Sequence, residues 1–221
     1  MEEALCLAGM ARKSVLPNPR VGSLVVKKGK IVGRGTHKGP GRPHAEIVAL
    51  RGAGRRARGA TLYVTLEPCR HTGRTPPCTE AILAAEVKRV FYAVGDPNPL
   101  VKGKGARALR RAGIEVELVG GPVAREARKL NTAYFHFHKT GRPHITAKVA
   151  TTLDGKIATA EGYSKWITDK NARAFARRLR GEHQAVLVGI ETVLADNPRL
   201  TVRGKTTSSS KKAAGPLQIV L

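Results

Sequence analysis

Three short pieces of this sequence, His44-Ala45-Glu46, Pro68-Cys69 and Cys78, constrain its fold more than any other stretch. One imidazole and two thiolates make three ligands for a zinc ion and leave a fourth position open for water. A glutamate close by, outside the ligand set, can carry protons while that water attacks an amidine-type carbon. The segments bearing these groups must therefore end at one point. The local pattern allows it. His44 and Glu46 fall in the first turn of an Ala/Ile/Val/Leu helix running to about Leu50, Cys69 follows the strand-like Thr61–Thr65, and Cys78 opens a helix whose terminus favours thiolate. Taken singly, His44 reads as a helix cap and each cysteine as a small buried hydrophobe. Together and in this order, with Glu46 as catalytic proton carrier and His44, Cys69 and Cys78 as metal ligands, they point to a zinc-dependent deaminase.

Composition narrows the setting. The chain has 221 residues, 41% hydrophobic and 25% charged, which is globular and long enough for one domain and part of another. No apolar run reaches the roughly 20 residues of a membrane helix. The start, Met1-Glu2-Glu3, is acidic where a secretory signal is basic, so a cytoplasmic protein is expected. Three cysteines form no disulfide framework, and Cys6, among Leu5, Leu7 and Ala8, reads as buried. The net charge of +24 permits nucleic-acid binding and also suits a phosphorylated small substrate. Lys and Arg are scattered along the chain with only four Phe and four Tyr among them, so no stacking groove for nucleic acid is evident. The charge reads as a solvated basic surface.

In chain order the pattern predicts a helix over 2–13, a hairpin from Val21–Val26 and Ile31–Thr36, and the helix from His44. It continues with the strand Thr61–Thr65, helix Cys78–Ala85, strand Val87–Val94, helix Gly105–Ala112, strand Ile114–Val119 and one helix over 123–138. This is an α/β arrangement, a three-layer α/β/α domain with a mixed five-stranded sheet over residues 1–140. Beyond a break at Thr140–Pro143, residues 145–221 predict a strand at Ile145–Val149, a basic helix over 169–180, a strand at Ala185–Val188, a loop from Gly189 and a strand at Leu217–Leu221. The polar tract Lys205–Gly215 reads as mobile. At 77 residues this second part is small for a domain and reads as one cut short.

The cysteine spacing discriminates further. Nucleotide and tRNA deaminases carry Pro-Cys-x-x-Cys, whereas eight residues separate Cys69 from Cys78. The loop Leu66-Glu67-Pro68-Cys69 to Gly73-Arg74-Thr75-Pro76-Pro77-Cys78, with Asn18-Pro19-Arg20-Val21-Gly22, His44-Ala45-Glu46 and Asp96-Pro97-Asn98-Pro99, closely resembles the riboflavin-biosynthesis deaminase/reductase family. The resemblance continues through Ser164-Lys165-Trp166-Ile167-Thr168 and Thr192-Val193-Leu194-Ala195-Asp196-Asn197-Pro198, and so covers essentially the whole chain.

That resemblance implies a cytidine-deaminase-like domain that hydrolyses an amino group from 2,5-diamino-6-(5-phosphoribosylamino)pyrimidin-4-one. Asn18, His37 and Arg74 match its pocket positions; His71 is left as a contact of substrate or of the ligands' surroundings. It also implies a partial dihydrofolate-reductase-like domain using NADPH to reduce the deaminated product. There Ala150, Trp166, Thr192 and Asp196 match cofactor contacts, and Ser164, Arg180, Leu200 and Arg203 match substrate contacts. The chain lacks the glycine-rich cofactor segment expected later in that domain; an intact, longer protein would be bifunctional. Exposed apolar edges on an incomplete domain would favour a homo-oligomer. Two competing readings are an RNA-editing adenosine deaminase and a non-catalytic basic RNA-binding module with a structural zinc. The long loop opposes the first and Glu46 the second, because a structural site needs no proton carrier and closes its fourth position.

Overall fold

The hairpin is built as the turn residues dictate. Strands β1 (Gly22–Lys27) and β2 (Lys30–Thr36) pair antiparallel through Lys28-Gly29, both at positive φ (48° and 75°). Two such residues make the turn whose twist matches the strands it joins. β1 also pairs antiparallel with β3 (Thr61–Val64), which continues in parallel to β4 (Arg89–Tyr92) and β5 (Glu115–Leu118). The order β2-β1-β3-β4-β5 is the expected mixed five-stranded sheet. The computed structural model describes residues 1–11, 15–202 and 215–221. Its contacts divide the chain into Met1–His144 and Ile145–Leu221.

Glycines let the helices reach the sheet. Gly33 and Gly35 on β2 lie against α2 (Ala45–Ala53), where an added Cβ would stand 2.1 Å from Ala49 O and 2.0 Å from Ala45 O respectively. Gly22 lies the same way against α1 (Glu2–Gly9), 2.0 Å from Ala4 O. Gly22 pairs with Thr36 while Ser23 pairs with Gly35, so α1 and α2 occupy opposite faces and the domain has three layers. α3 (Cys78–Ala84) adjoins α2, and α4 (Lys104–Arg111) adjoins α3. α5 (Gly121–Leu130) adjoins α1. Leu62, Val64, Val90, Ile82 and Leu109 are fully buried between these layers.

Several expectations are corrected. The helix read over 123–138 is two, α5 and α6 (Thr132–Thr140). Asn131 breaks it, its Oδ1 accepting from Arg20 N at 2.7 Å and its Nδ2 donating to Arg20 O at 3.0 Å. One buried amide thus serves both main-chain groups of Arg20, and helical backbone at 131 is given up to aim it. Cys6 is exposed, because α1 turns Ala4 and Ala8 to the core and a residue two positions along faces away. The first helix ends at Gly9; residues 12–13 of the predicted span lie outside the described residues.

In the second unit, α7 (Lys170–Glu182) starts at Asp169, whose carboxylate accepts from Ala172 N at 2.7 Å. β6 (Ala185–Val188) pairs in parallel with β7 (Leu217–Val220). Ile145–Val149 is no strand. Ile145 and Val149 are exposed, and no described strand pairs with the segment to bind its backbone groups. Gly189 does not begin a loop but caps α8 (Ile190–Asp196), with Glu191 in the first turn and Asn197 in the left-handed region closing it. The polar tract, Gly215 apart, lies outside the described residues. Among those described, no helix is long and apolar enough to cross a membrane.

Candidate metal centre and active site

Three helix and strand ends deliver the ligand set. His44 is the N-cap of α2, Cys78 the first residue of α3, and Cys69 lies on the segment leaving β3. That segment is anchored from below by a residue the sequence reading assigned no role. The buried Glu67 carboxylate accepts from Gly103 N (2.9 Å) and Ala106 N (3.1 Å), binding the unpaired amides that open α4. Gly105 presses on Pro68, and a Cβ there would stand 1.8 Å from Pro68 O. The signal was present as an acidic residue just before Pro-Cys, but its partners are some forty residues away.

The donor atoms of His44, Cys69 and Cys78 lie within 4.8 Å of one another. His44 Nδ1 is 3.1 Å from Cys78 Sγ and 3.5 Å from Cys69 Sγ. A tetrahedral zinc with usual Zn–N (~2.0–2.1 Å) and Zn–S (~2.3 Å) bonds holds N and S about 3.5 Å apart, so the donor set fits the ion. The helix terminus at Cys78 acts differently from expectation: the Cys78 N–H donates to Cys69 Sγ at 3.3 Å. The hydrogen bond from Cys78, with others from His44 and the Cys78 N–H, holds the Cys69 thiol below its usual range, while the same contact and burial push the Cys78 thiol up.

Glu46 is buried at 4% exposure in the first turn of α2, and burial pushes its carboxyl up to about 7. His37, also buried, accepts from Asn18 Nδ2 at Nε2 (2.9 Å) and donates from Nδ1 to Pro43 O (3.1 Å), the pairing of an Nδ1–H tautomer; burial holds its pKa below the usual value. Its ring stands 5.2 Å from that of His44, nearly perpendicular. Asn18 and His37 therefore adjoin the cluster. Arg74 lies exposed on the cysteine loop without a hydrogen bond or ion pair among the described residues. His71, on the same loop, keeps a buried Nδ1 with no partner among the described residues. Thr75, absent from the sequence expectations, places Oγ1 3.3 Å from His44 Nε2. Asp96, of the Asp-Pro-Asn-Pro segment, accepts from Tyr134 Oη (2.9 Å) and Asn98 N (2.8 Å).

Residues 1–94 match the family described as the cytidine and deoxycytidylate deaminase zinc-binding region, and residues 143–221 the RibD C-terminal domain. The riboflavin biosynthesis protein RibD of Aquifex aeolicus is 54% identical over 221 residues, all of this chain and 60% of that protein. These matches support a RibD-type protein. RibD of Acinetobacter baumannii (form 1) superposes with a TM-score of 0.91 at 47% identity, covering 99% of this chain and 61% of that one. A diaminohydroxyphosphoribosylaminopyrimidine deaminase/5-amino-6-(5-phosphoribosylamino)uracil reductase from Thermotoga maritima does so at 0.88 and 43%, covering 100% and 61%. The chain thus spans about three fifths of the RibD proteins it matches, with the cytidine-deaminase-like fold ahead of the RibD C-terminal domain.

In the second unit the residues matched to the reductase do not form one group. Arg180 and Leu200 come together around a hollow of about 160 Å³ that Arg177, Pro198, Arg199 and Thr201 also line, and Arg180 Nη1 donates to Thr201 O at 3.2 Å. Thr192 and Asp196 stand exposed one turn apart on α8. Trp166 is 74% exposed with the Arg173 guanidinium 4.3 Å from its ring centre, and Ser164 is exposed nearby in the chain. Ala150 is half-buried. Arg203 lies outside the described residues.

Proposed function

We propose that residues 1–140 form a zinc-dependent deaminase acting on 2,5-diamino-6-(5-phosphoribosylamino)pyrimidin-4-one, with His44, Cys69 and Cys78 as ligands and Glu46 as the catalytic proton carrier. The observation that carries it is the convergence of one imidazole nitrogen and two sulfurs, three donors and no fourth among the described residues, next to a buried glutamate. Zinc, when bound there, supplies the Lewis acidity that makes water a nucleophile near neutral pH. Glu46 takes a proton from the attacking water and gives it to the ring nitrogen, then takes the second from the added hydroxyl and gives it to the leaving amine. Its burial, which raises its pKa, suits a group that must both accept and give.

His37 Nε2 takes the Asn18 amide N–H, which leaves Asn18 Oδ1 to accept from an amino group of the pyrimidine. Arg74, exposed at the loop and unpaired among the described residues, serves as the cation for the phosphorylated end. The substrate class follows the activity for which the Thermotoga maritima relative is named. A cytoplasmic location, no nucleic-acid partner and self-association through exposed Leu187, Leu217 and Val220 complete this reading.

Residues 145–221 we infer to be the first part of an NADPH-dependent reductase domain, Arg180 and Leu200, with Ser164 and Arg203, meeting the phosphorylated product. The arginine-lined hollow supports a phosphate there. Ala150, Trp166, Thr192 and Asp196, the cofactor positions of the family, do not enclose a cofactor as they stand, and no reduction step is assigned to them.

The test is Glu46→Gln in the 221-residue chain, with ammonia release measured on the phosphorylated diaminopyrimidine and on tRNA. The wild type should release ammonia from the pyrimidine only, and the variant should bind zinc with turnover lowered by at least ~10²-fold. Turnover retained by the variant, or deamination of tRNA, refutes the assignment.

A further inference from the structure

The loop between the cysteines folds back over the ligand histidine. Thr75 Oγ1 lies 3.3 Å from His44 Nε2, on the ring edge opposite Nδ1, which faces both sulfurs. An imidazole that offers its Nδ1 lone pair to a metal carries its proton on Nε2, and that proton needs an acceptor. The Thr75 hydroxyl is within reach and makes no other hydrogen bond among the described residues. It is also held in place. Gly73 N donates to Thr75 O at 3.2 Å, and Pro76 and Pro77 restrict the backbone that follows. Pro77 is buried as the N-cap of α3, so one helix terminus positions both Cys78 and Thr75.

Resting on the reading of this cluster as a zinc site, we propose that Thr75 is a positioning residue: its hydroxyl accepts from His44 Nε2–H and selects the Nδ1-ligating tautomer and ring plane. The long spacing between the cysteines then has a use. Thr75 stands three residues before Cys78, and in a Cys-x-x-Cys loop that position is the first cysteine itself.

Outer partners of this kind are worth about 10–100-fold in metal affinity. The experiment is zinc affinity of the 221-residue chain by competition with a chromophoric chelator, for wild type, Thr75→Val and Thr75→Ser. Valine keeps the shape and removes the hydroxyl, and should weaken zinc about 10–100-fold; serine should restore it. In zinc-loaded protein with ¹⁵N-labelled histidine, the His44 Nε2–H should exchange with solvent faster in Thr75→Val than in wild type, a change that a packing role would not produce. Zinc affinity of Thr75→Val within about twofold of wild type overturns the proposal, and so does a serine variant as weak as valine. A wild type that binds no zinc overturns the deaminase reading as well, whereas tight wild-type binding with an unaffected valine variant overturns this one alone.

Discussion

Replacing Gly35 with alanine tests how the ligand histidine is held. The new Cβ would lie 2.0 Å from Ala45 O and 2.6 Å from Ala49 N, both backbone atoms of α2. Neither can rotate away, so reaching ordinary contact near 3.4 Å requires α2 and β2 to part by roughly 1.4 Å. Ala45 is the neighbour of both His44 and Glu46, so the displacement falls on the metal centre. Overpacking of this kind costs about 1–3 kcal/mol. On the 144-residue unit that contains it, that is a fall in Tm of roughly 3–9 °C. A misplacement near 1 Å at a reacting centre costs ~10²-fold in rate. Thermal unfolding, chelator competition for zinc and ammonia release read the three consequences. Gly52→Ala on the same helix is the control: its Cβ would meet nothing nearer than 3.8 Å, and it should leave the fold unchanged or stabilise it by up to about 1 kcal/mol. A Gly35→Ala protein with wild-type Tm and zinc affinity refutes the close-contact argument.

Two further outcomes follow from buried carboxylates. Burial raises the Asp96 carboxyl from 3.8 to about 6, so the folded chain favours its neutral form. The associated stability is fully present below about pH 4 and is lost as pH rises through about 6, a change of order 3 kcal/mol. The difference in urea stability between wild type and Asp96→Asn should therefore shift across that window, and a flat difference refutes it. Glu67→Gln leaves a carboxamide that cannot accept from Gly103 N and Ala106 N with both of its atoms. The loss should be about 1–3 kcal/mol of stability with weaker zinc binding through Cys69, checked by denaturant titration and chelator competition; unchanged values in both would show that α4 does not anchor the cysteine segment.

The chemistry of the centre was legible before any coordinate because it depends on residue type and local register. His44 and Glu46 open one helix and Cys78 another, and helix ends present their first side chains in a common direction. The strands of the five-stranded sheet were legible for the same local reason, their β-branched runs and a two-residue turn, whereas the similar run at Ile145–Val149 forms no strand. What local pattern does not encode is which distant group completes a partnership. Asn131 leaves the helical course to bind Arg20, Glu67 binds the opening of α4, and Thr75 returns to His44, each pairing decided where separate segments meet. Likewise the Cys78 amide serves Cys69 rather than its own sulfur, because a helix terminus acts on whatever the tertiary fold places in front of it. The sequence by itself determined the donors and their order; only the tertiary structure decided which proton each one keeps and which neighbours hold it in place, because those depend on distances between segments that no local periodicity sets.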